Sequence, residues 1–242
     1  SGLTSSFSHT IYTSQQTKVL IECMYPSLTA IKSLSFNTLH TFTIPSNNIK
    51  QDTFNVTLMD ANHCPGSCML LFEGQFGRIL YTGDFRYDSL IYESNLLFKS
   101  LYTTIDVIYF DATFFHSSCQ FPSRTKAIDI CLSTIDTYIK TYNININQWI
   151  QKQNNSTHRL SNIHRTTSIN ISTSLFPRIY LCCDGLGGEY LLQSIYERYQ
   201  TYIYIDSTQL SDRYKQLMNT DNIKSIFITH SSSESLFHLV SH

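Results

Sequence analysis

The sequence predicts an α/β protein whose sheets are at least partly parallel. Apolar runs of strand length alternate with segments of helical periodicity along the 242 residues, and turn-forming residues separate them. Strands that alternate with helices are typical of parallel pairing, because a parallel crossover needs a long connection that a helix usually provides. A composition of 42% hydrophobic and 13% aromatic residues is ample for a buried core.

The first half of the chain is dominated by predicted strands. Residues 54–60 (FNVTLMD), 67–73 (SCMLLFE) and 78–84 (RILYTGD) are apolar runs of strand length, and the link GQFG between the last two predicts a hairpin. A further apolar run, residues 103–114 (TTIDVIYFDATF), predicts a buried strand that ends near an acidic residue.

A helix is predicted directly after Pro122. Ser123 can cap it, and apolar residues recur at helical spacing through about Tyr142, namely Ile128, Cys131, Leu132, Ile135, Tyr138 and Ile139. Residues 143–174 are instead rich in Asn, Ser, Thr and Gln, with Trp149 as the one bulky exception. This polar, low-complexity composition predicts an exposed insertion of the kind that is often disordered.

The alternation of strands and helices returns after the insertion. Strands are predicted at RIYLCC, TYIYID and KSIFITH. A helix after the first of them carries Leu191, Leu192, Ile195 and Tyr199 on one face, and a further helix is predicted around residues 209–219. No internal repeat is present in the sequence.

Bulk properties narrow the class of protein. No stretch approaches the roughly 20 consecutive apolar residues of a membrane helix, and the N-terminal residues lack the pattern of a signal peptide. Seven cysteines without paired spacing favour reduced thiols, so we expect a soluble, intracellular protein. A formal net charge of −1 gives no global attraction to nucleic acid, so a local patch or metal ions would have to hold an anionic partner.

Two side chains follow predicted strands and are candidate zinc ligands. His63 precedes Cys-Pro-Gly, a sequence that holds the backbone in a sharp, rigid turn. Asp84 follows a glycine at the end of the strand 78–84. Ligands at the ends of adjacent strands can meet at one ion, and zinc accepts both imidazole nitrogen and carboxylate oxygen.

Other interpretations of the same residues stay open. A histidine or aspartate at a strand end is more often a turn or hydrogen-bonding residue. His63, Cys64 and Cys68 could instead belong to a structural zinc site, although no second Cys or His pair at zinc-finger spacing completes it.

Longer stretches resemble a known family. DANHCPGSCMLLFEG followed by ILYTGDFR resembles the third and fourth metal-site motifs of the metallo-β-lactamase-fold DNA-repair nucleases, the family that contains Artemis and Apollo. VIYFDATF with a nearby FPSR resembles the family's Asp-containing strand and the start of its β-CASP insertion, and RIYLCCDGLGGEYLLQSIYERY resembles a strand, turn and helix inside it. The resemblance, which leaves out residues 143–174, implies a partial metallo-β-lactamase αββα sandwich over 1–115 and part of a β-CASP α/β insertion over 116–242.

The resemblance also implies roles for single residues. His63 would be the third-motif zinc ligand, and Asp84 the fourth-motif ligand, shared between two metal positions and catalytic. Asp111 would be the catalytic β-CASP acidic residue that helps organise the site. His230 resembles a late histidine of the insertion, although a surface or core histidine fits as well. The turn Asp184–Gly188 could hold a phosphate or be a plain tight turn.

The family's principal signature, His-x-His-x-Asp-His, does not occur in the sequence, and SGLTSSFSHTIYTSQQT resembles the segment that follows it in relatives. VSH stops before the late β-CASP histidine motif. We therefore expect a fragment with two protein ligands where a catalytic zinc has about three plus water. The chain as given is expected to bind zinc weakly or not at all and to lack nuclease activity.

For the intact protein, the resemblance implies hydrolysis of DNA phosphodiester bonds with one or two Zn²⁺ ions, in double-strand break repair, interstrand cross-link repair or end processing. DNA and other DNA-repair proteins are the expected partners, in the nucleus and without a membrane. The alternatives are a non-catalytic relative that binds DNA or repair partners, an RNA-processing β-CASP endonuclease, and a small-molecule hydrolase. The sequence does not decide between exonuclease and endonuclease activity.

Overall fold

The chain divides at residue 121 into two units, Ser1–Phe121 and Pro122–His242. The computed structural model describes residues 3–44, 52–93, 98–99, 105–116, 118–160, 177–183, 186–205, 228–229 and 235–240, and of residues 155–160 and 228–229 only the backbone. Mixed α/β structure is present in both units, as the sequence predicts.

The first unit is built mainly from strands. In chain order its elements are β1 (Ile11–Thr13), α1 (Gln15–Met24), β2 (Ile31–Ser33), β3 (Leu39–Ile44), β4 (Asp52–Asp60), β5 (Cys68–Gly74), β6 (Gly77–Tyr81), α2 (Ser89–Tyr92) and β7 (Val107–Tyr109). Strands β1 and β2 pair in parallel, and the other five form one sheet in the order β3-β4-β5-β6-β7.

Strand direction in the five-stranded sheet decides where the loops meet. Neighbours from β3 to β6 are antiparallel, whereas β6 and β7 are parallel. Strands β4, β6 and β7 therefore run in the same direction. Their C-terminal ends lie side by side along one edge of the sheet, the edge that crosses the ends of the strands. The predicted hairpin is confirmed: Gly74 lies opposite Gly77, whose φ of 92° closes the two-residue turn between β5 and β6.

The two faces of this sheet carry different side chains. Alternate residues on one face (Met59, Met69, Leu71 and Leu80) are at most 5% exposed and pack in a cluster with α2. Burying each such side chain contributes about 1.5–3 kcal/mol, so this face anchors the unit. On the other face the Phe42 and Phe54 rings stack at 5.5 Å, and Phe72 extends the row.

The second unit alternates helices and strands. Its elements are α3 (Arg124–Thr141), α4 (Ile146–Leu160), β8 (Ile179–Cys182), α5 (Glu189–Tyr199), β9 (Ile203–Ile205), β10 (Ile228–Thr229) and β11 (Phe237–Val240). The strands form a fully parallel sheet in the order β10-β9-β11-β8, which confirms the predicted parallel pairing.

The predicted helices around the second sheet are confirmed where the structure describes them. Ser123 caps α3 by accepting a hydrogen bond from the Lys126 amide at 3.3 Å. Leu192, Ile195 and Tyr199 of α5 are buried in the core of this unit, together with residues of α3 and of strands β8, β9 and β11. One apolar stripe on each helix is therefore enough to cover the sheet.

Two predictions are wrong in part. Of the predicted buried strand over 103–114, the described residues 105–114 form only the three-residue β7, which lies at the edge of the described sheet and has side chains 41–57% exposed. The insertion at 143–174 is not exposed throughout, because α4 places Trp149 and Gln153 in the core, each 3% exposed. Because most residues of α4 are polar, its sequence gives little sign of the narrow stripe of side chains that the helix buries.

Several predictions lie outside the described residues. These are the helix at 209–219, His230, and Asp184 and Gly185 of the glycine-rich turn. Only Ile228–Thr229 of the predicted strand 224–230 are described, and they form β10. None of the seven cysteines, all within the described residues, is joined to another by a disulfide. Among the described helices, none has both the length and the apolar character that crossing a membrane requires.

Candidate metal centre

The three predicted site residues follow three strands that end at the same edge of the first sheet. His63 lies three residues after β4, Asp84 three residues after β6, and Asp111 two residues after β7. Because these strands run in the same direction, their following loops meet there. The strand order therefore gives a physical reason for residues so far apart in sequence to be neighbours.

Two hydrogen bonds join the loops after β4 and β6. The Arg86 amide donates to the Ala61 carbonyl at 2.9 Å, and the Asn62 side-chain amide donates to the Arg86 carbonyl at 3.1 Å. Asn62 has a φ of 53°, a left-handed conformation that asparagine tolerates better than most residues. These two bonds bring the residue after Asn62 next to Asp84.

Thr82 joins the loops after β6 and β7. Its amide donates to the Tyr109 carbonyl at 2.9 Å, and its hydroxyl accepts from the Asp111 amide at 3.2 Å. Thr82 is only 4% exposed, so water competes little for these bonds. Asn62, Thr82 and Arg86 were not among the predicted site residues. The asparagine before the histidine was a detectable signal, since asparagine favours this conformation.

The side chains of His63 and Asp84 approach each other. His63 Nε2 lies 4.0 Å from Asp84 Oδ2, and the two side chains are 48% and 77% exposed. The pKa of Asp111 lies below its ordinary value because the Thr113 hydroxyl and amide donate to the Asp111 carboxylate, with a smaller contribution from nearby His63. The edge therefore presents one imidazole and two carboxylates to solvent.

The donor set fits part of a zinc site. Two ligands of a tetrahedral zinc lie about 3.3 Å apart, given metal–ligand bonds of about 2.0–2.2 Å. The 4.0 Å separation exceeds this by less than an ångström, which side-chain rotation can supply because both groups are largely exposed. Within the described residues, however, no group of three or more His, Cys, Asp or Glu side chains is placed to hold a metal ion.

The alternative interpretation, a structural zinc site at His63, Cys64 and Cys68, also lacks a three-ligand group. Neither Cys64 nor Cys68 completes a three-ligand group with His63 in the part of the chain that is described. Burial, with a smaller contribution from Asp60, raises the pKa of the Cys68 thiol, which disfavours the thiolate that zinc prefers. The His63–Asp84 pair is therefore the better supported starting point for a metal site.

The glycine-rich turn before α5 is used internally where it is described. The Gly187 amide donates to Glu189 Oε2 at 2.8 Å, and Glu189 is 1% exposed. Burial raises the pKa of Glu189 despite its bond from Gly187. This arrangement is that of a tight turn, because the carboxylate already occupies an amide that a phosphate would need.

Known proteins similar to this chain include one named as a 5' exonuclease and one named as a DNA cross-link repair protein. Mouse (Mus musculus) 5' exonuclease Apollo is 42% identical over 128 residues, which are 52% of this chain and 23% of Apollo. Over the matched residues, the chain is similar to proteins of the Artemis/Apollo family. A zebrafish (Danio rerio) protein artemis is 28% identical over 67% of this chain. The DNA cross-link repair protein PSO2/SNM1 of Saccharomyces cerevisiae is 27% identical over 78% of it.

The matches cover only part of these Artemis/Apollo relatives. The aligned residues span 21% of the zebrafish protein and 30% of the yeast protein. No family model matches the sequence. A protein of unknown function from Enterococcus faecalis V583 aligns with 96% of this chain and 53% of its own, at 12% identity and a TM-score of 0.48, a likeness too loose to carry a conclusion.

Proposed function

We propose that the chain is part of a zinc-dependent DNA nuclease of the Artemis/Apollo type that acts in DNA repair. The observation that carries the proposal is the 4.0 Å approach of His63 and Asp84, two residues predicted as ligands from separate motifs. The 42% identity to a 5' exonuclease supports DNA as the substrate. The layout would be a partial metallo-β-lactamase sandwich followed by part of a β-CASP domain.

The residues at the sheet edge have distinct parts in this proposal. His63 Nε2 and the Asp84 carboxylate would hold Zn²⁺, one ion or two with Asp84 shared. Bound zinc supplies a water of lowered pKa and polarises a phosphodiester. The bonds from Thr113 hold the pKa of Asp111 below that of an ordinary aspartate, so its carboxylate stays ionised to lower pH. Its carboxylate would accept a hydrogen bond from the attacking water and so orient it.

The number of ligands limits what the 242 residues do alone. A catalytic zinc normally has three protein ligands and a water, and His63 with Asp84 provides two. We therefore expect weak or no zinc binding and no DNA cleavage from the chain as given. The complete gene product would need further ligands to form the active centre. Its proposed location is the nucleus, with DNA and other repair proteins as partners.

A non-catalytic role in binding DNA or repair proteins is the second candidate. The finding that favours it is the lack of a three-ligand group among the described side chains. An RNA-processing endonuclease of the wider β-CASP group is a further alternative. Cleavage assays separate all three functions.

The proposal is tested with the complete gene product and end-labelled oligonucleotides. Zn²⁺-dependent cleavage of DNA, and little cleavage of RNA of the same sequence, is the expected result. Preference for RNA would move the protein to the RNA-processing group. Absence of cleavage on both, together with retained DNA or partner binding, would favour the non-catalytic role.

Variants then assign the site. His63→Ala and Asp84→Asn are expected to abolish cleavage and weaken zinc binding measured by isothermal titration calorimetry. His9→Ala and Asp52→Asn are matched controls, because both residues are exposed in the same unit and neither follows a strand at the site edge. Equal activity of the His63→Ala and His9→Ala proteins would remove His63 from the site.

A further inference from the structure

The start of α1 contacts the turn that carries His63. Ser14, the N-cap of α1, is fully buried and donates from Oγ to the Gly66 carbonyl at 2.7 Å. The Thr17 hydroxyl donates to the same carbonyl at 2.9 Å. Two side chains about 50 residues away in sequence therefore hold one carbonyl of the Cys-Pro-Gly turn.

The turn is tied together from Gly66 back to His63. Ser67 Oγ accepts from the His63 amide at 3.2 Å and from the Cys64 amide at 3.1 Å, and donates to the Cys64 carbonyl at 2.7 Å. The Ser67 amide also donates to the Cys64 carbonyl at 3.0 Å. Fixing Gly66 therefore fixes Ser67, and through Ser67 the backbone from which the imidazole projects.

Helix capping accounts for only one of these contacts. A cap requires only that Ser14 Oγ accepts a hydrogen bond from the Thr17 amide, which it does at 3.2 Å. The bonds from the Ser14 and Thr17 hydroxyls to Gly66 lie outside the cap, and they aim both hydroxyls at the turn. The side chain of His63 is 48% exposed, so packing alone does little to hold it.

We propose that Ser14 and Thr17 are positioning residues that hold the His63 turn in the geometry a metal ligand needs. The inference rests on the proposed function, because positioning His63 matters for chemistry only if His63 is a ligand. Groups beyond the ligands commonly decide whether a site is ordered, and their loss typically weakens metal affinity about 10- to 100-fold. Ser14 and Thr17 would act through the backbone and would touch neither metal nor substrate.

Thr17→Val gives the cleanest test, because valine matches threonine in shape and leaves the backbone amide that Ser14 caps. Native-state hydrogen exchange followed by NMR measures the His63, Cys64 and Ser67 amides in the 242-residue chain. Loss of one hydrogen bond to Gly66 is expected to speed their exchange about five- to tenfold, with exchange in β4 and β5 unchanged. Relaxation of the His63 ring signals is expected to show greater motion.

Two controls separate positioning from general stability. Thr17→Ser keeps the hydroxyl and is expected to restore slow exchange in the turn. Thr41→Val removes a hydroxyl that bonds Asn55 at 2.9 Å on the exposed surface of the same unit, and it is expected to leave the turn unchanged. Unchanged exchange in the Thr17→Val turn, or an equal increase throughout the first unit, would overturn the inference. The measurement needs neither metal nor DNA. A failed cleavage assay would therefore contradict the proposed function and leave the exchange result unchanged.

Discussion

Replacing Gly66 by alanine tests the contact between α1 and the His63 turn most severely. Gly66 has a φ of 82°, a conformation that residues with a Cβ rarely adopt. A Cβ built there lies 2.8 Å from Gln16 Cβ, 2.8 Å from Thr17 Oγ1 and 2.9 Å from Ser14 Oγ. Alanine therefore meets both a backbone penalty and a steric one.

The expected loss of stability is the sum of these two penalties. A positive φ costs a residue with a Cβ about 1–2 kcal/mol. Forcing extra volume into a close-packed contact costs about 1–3 kcal/mol more, because either α1 or the turn must move. The free energy of unfolding of the first unit should therefore fall by about 2–5 kcal/mol.

Two other glycines of the same unit separate the penalties. Gly83 has a φ of 54°, but its nearest neighbours lie 3.8 Å from a built Cβ, so Gly83→Ala meets the backbone penalty alone. Gly74 has close contacts only with the ring of Phe76, which is 50% exposed and can rotate away. We expect Gly83→Ala to cost about 1–2 kcal/mol and Gly74→Ala to cost less than about 1 kcal/mol.

The assay must report on the first unit separately. Trp149 is the only tryptophan of the sequence and lies in the second unit, so its fluorescence provides an internal control that should not change. Hydrogen exchange of peptides from β4 to β6, measured by mass spectrometry across a urea series, gives the free energy of opening of the first unit. If Gly66→Ala costs no more than Gly83→Ala, the close contact with α1 is absent and the reasoning fails.

Three further predictions concern single interactions. Thr113→Val should raise the pKa of Asp111 toward its ordinary value in a carboxyl NMR titration, because the lowered pKa depends first on Thr113. In the wild type, the stability that these hydrogen bonds contribute is present at neutral pH and is lost as the pH falls through the lowered pKa. Tyr199→Phe removes a hydroxyl 2.8 Å from Asp136 and should destabilise the second unit by about 1 kcal/mol in urea unfolding followed by Trp149 fluorescence. Gln153→Met should lower the free energy of unfolding by about 1–3 kcal/mol in the same assay. The reason is that the side-chain oxygen of Gln153 accepts a hydrogen bond at 2.9 Å from the backbone amide of Tyr202, the residue before β9.

Local patterns predicted the parts of the fold that local forces determine. The hairpin of β5 and β6 follows from two alternating runs around a glycine turn, and α3 follows from its cap and apolar spacing. The three-residue strands β1 and β2 were missed, because such short strands have no periodicity and exist through long-range pairing. The helix α1 was not predicted although Ser14 is a good N-cap, because Leu20 is the one buried residue among its ten and the apolar pattern is correspondingly weak.

The misjudged helix α4 shows why composition is a poor guide to burial. Its sequence is mostly polar, yet Trp149 and Gln153, four residues apart, lie on one face and are both buried. A helix needs only a narrow stripe against the core, and here half of that stripe is a polar side chain with its own hydrogen bonds. The polar remainder, which suggested disorder, is compatible with a helix whose outer face meets water.

The residues of the candidate site were predicted from the sequence, whereas the hydrogen bonds and strand order that bring their loops together were not. Strand-end positions pointed to His63 and Asp84 from the sequence alone, and the family resemblance added Asp111. Two of the bonds that join their loops run between backbone groups, such as the Arg86 amide and the Ala61 carbonyl, and such bonds leave no trace in a sequence; the other two use the side chains of Asn62 and Thr82. Only the strand order shows that the three loops share an edge.

This construction explains why the number of ligands, more than their spacing, should set the affinity for zinc. The loops are held by hydrogen bonds to main-chain groups, whereas the His63 and Asp84 side chains are 48% and 77% exposed and keep rotational freedom. Binding an ion must remove that freedom, at up to about 1–2 kcal/mol for each side chain. Two ligands therefore return little net affinity once they are ordered. The ion loses its own translational freedom only once, so each further ligand adds a metal–ligand bond without repeating that cost. The pair alone is therefore expected to bind weakly and the completed centre tightly.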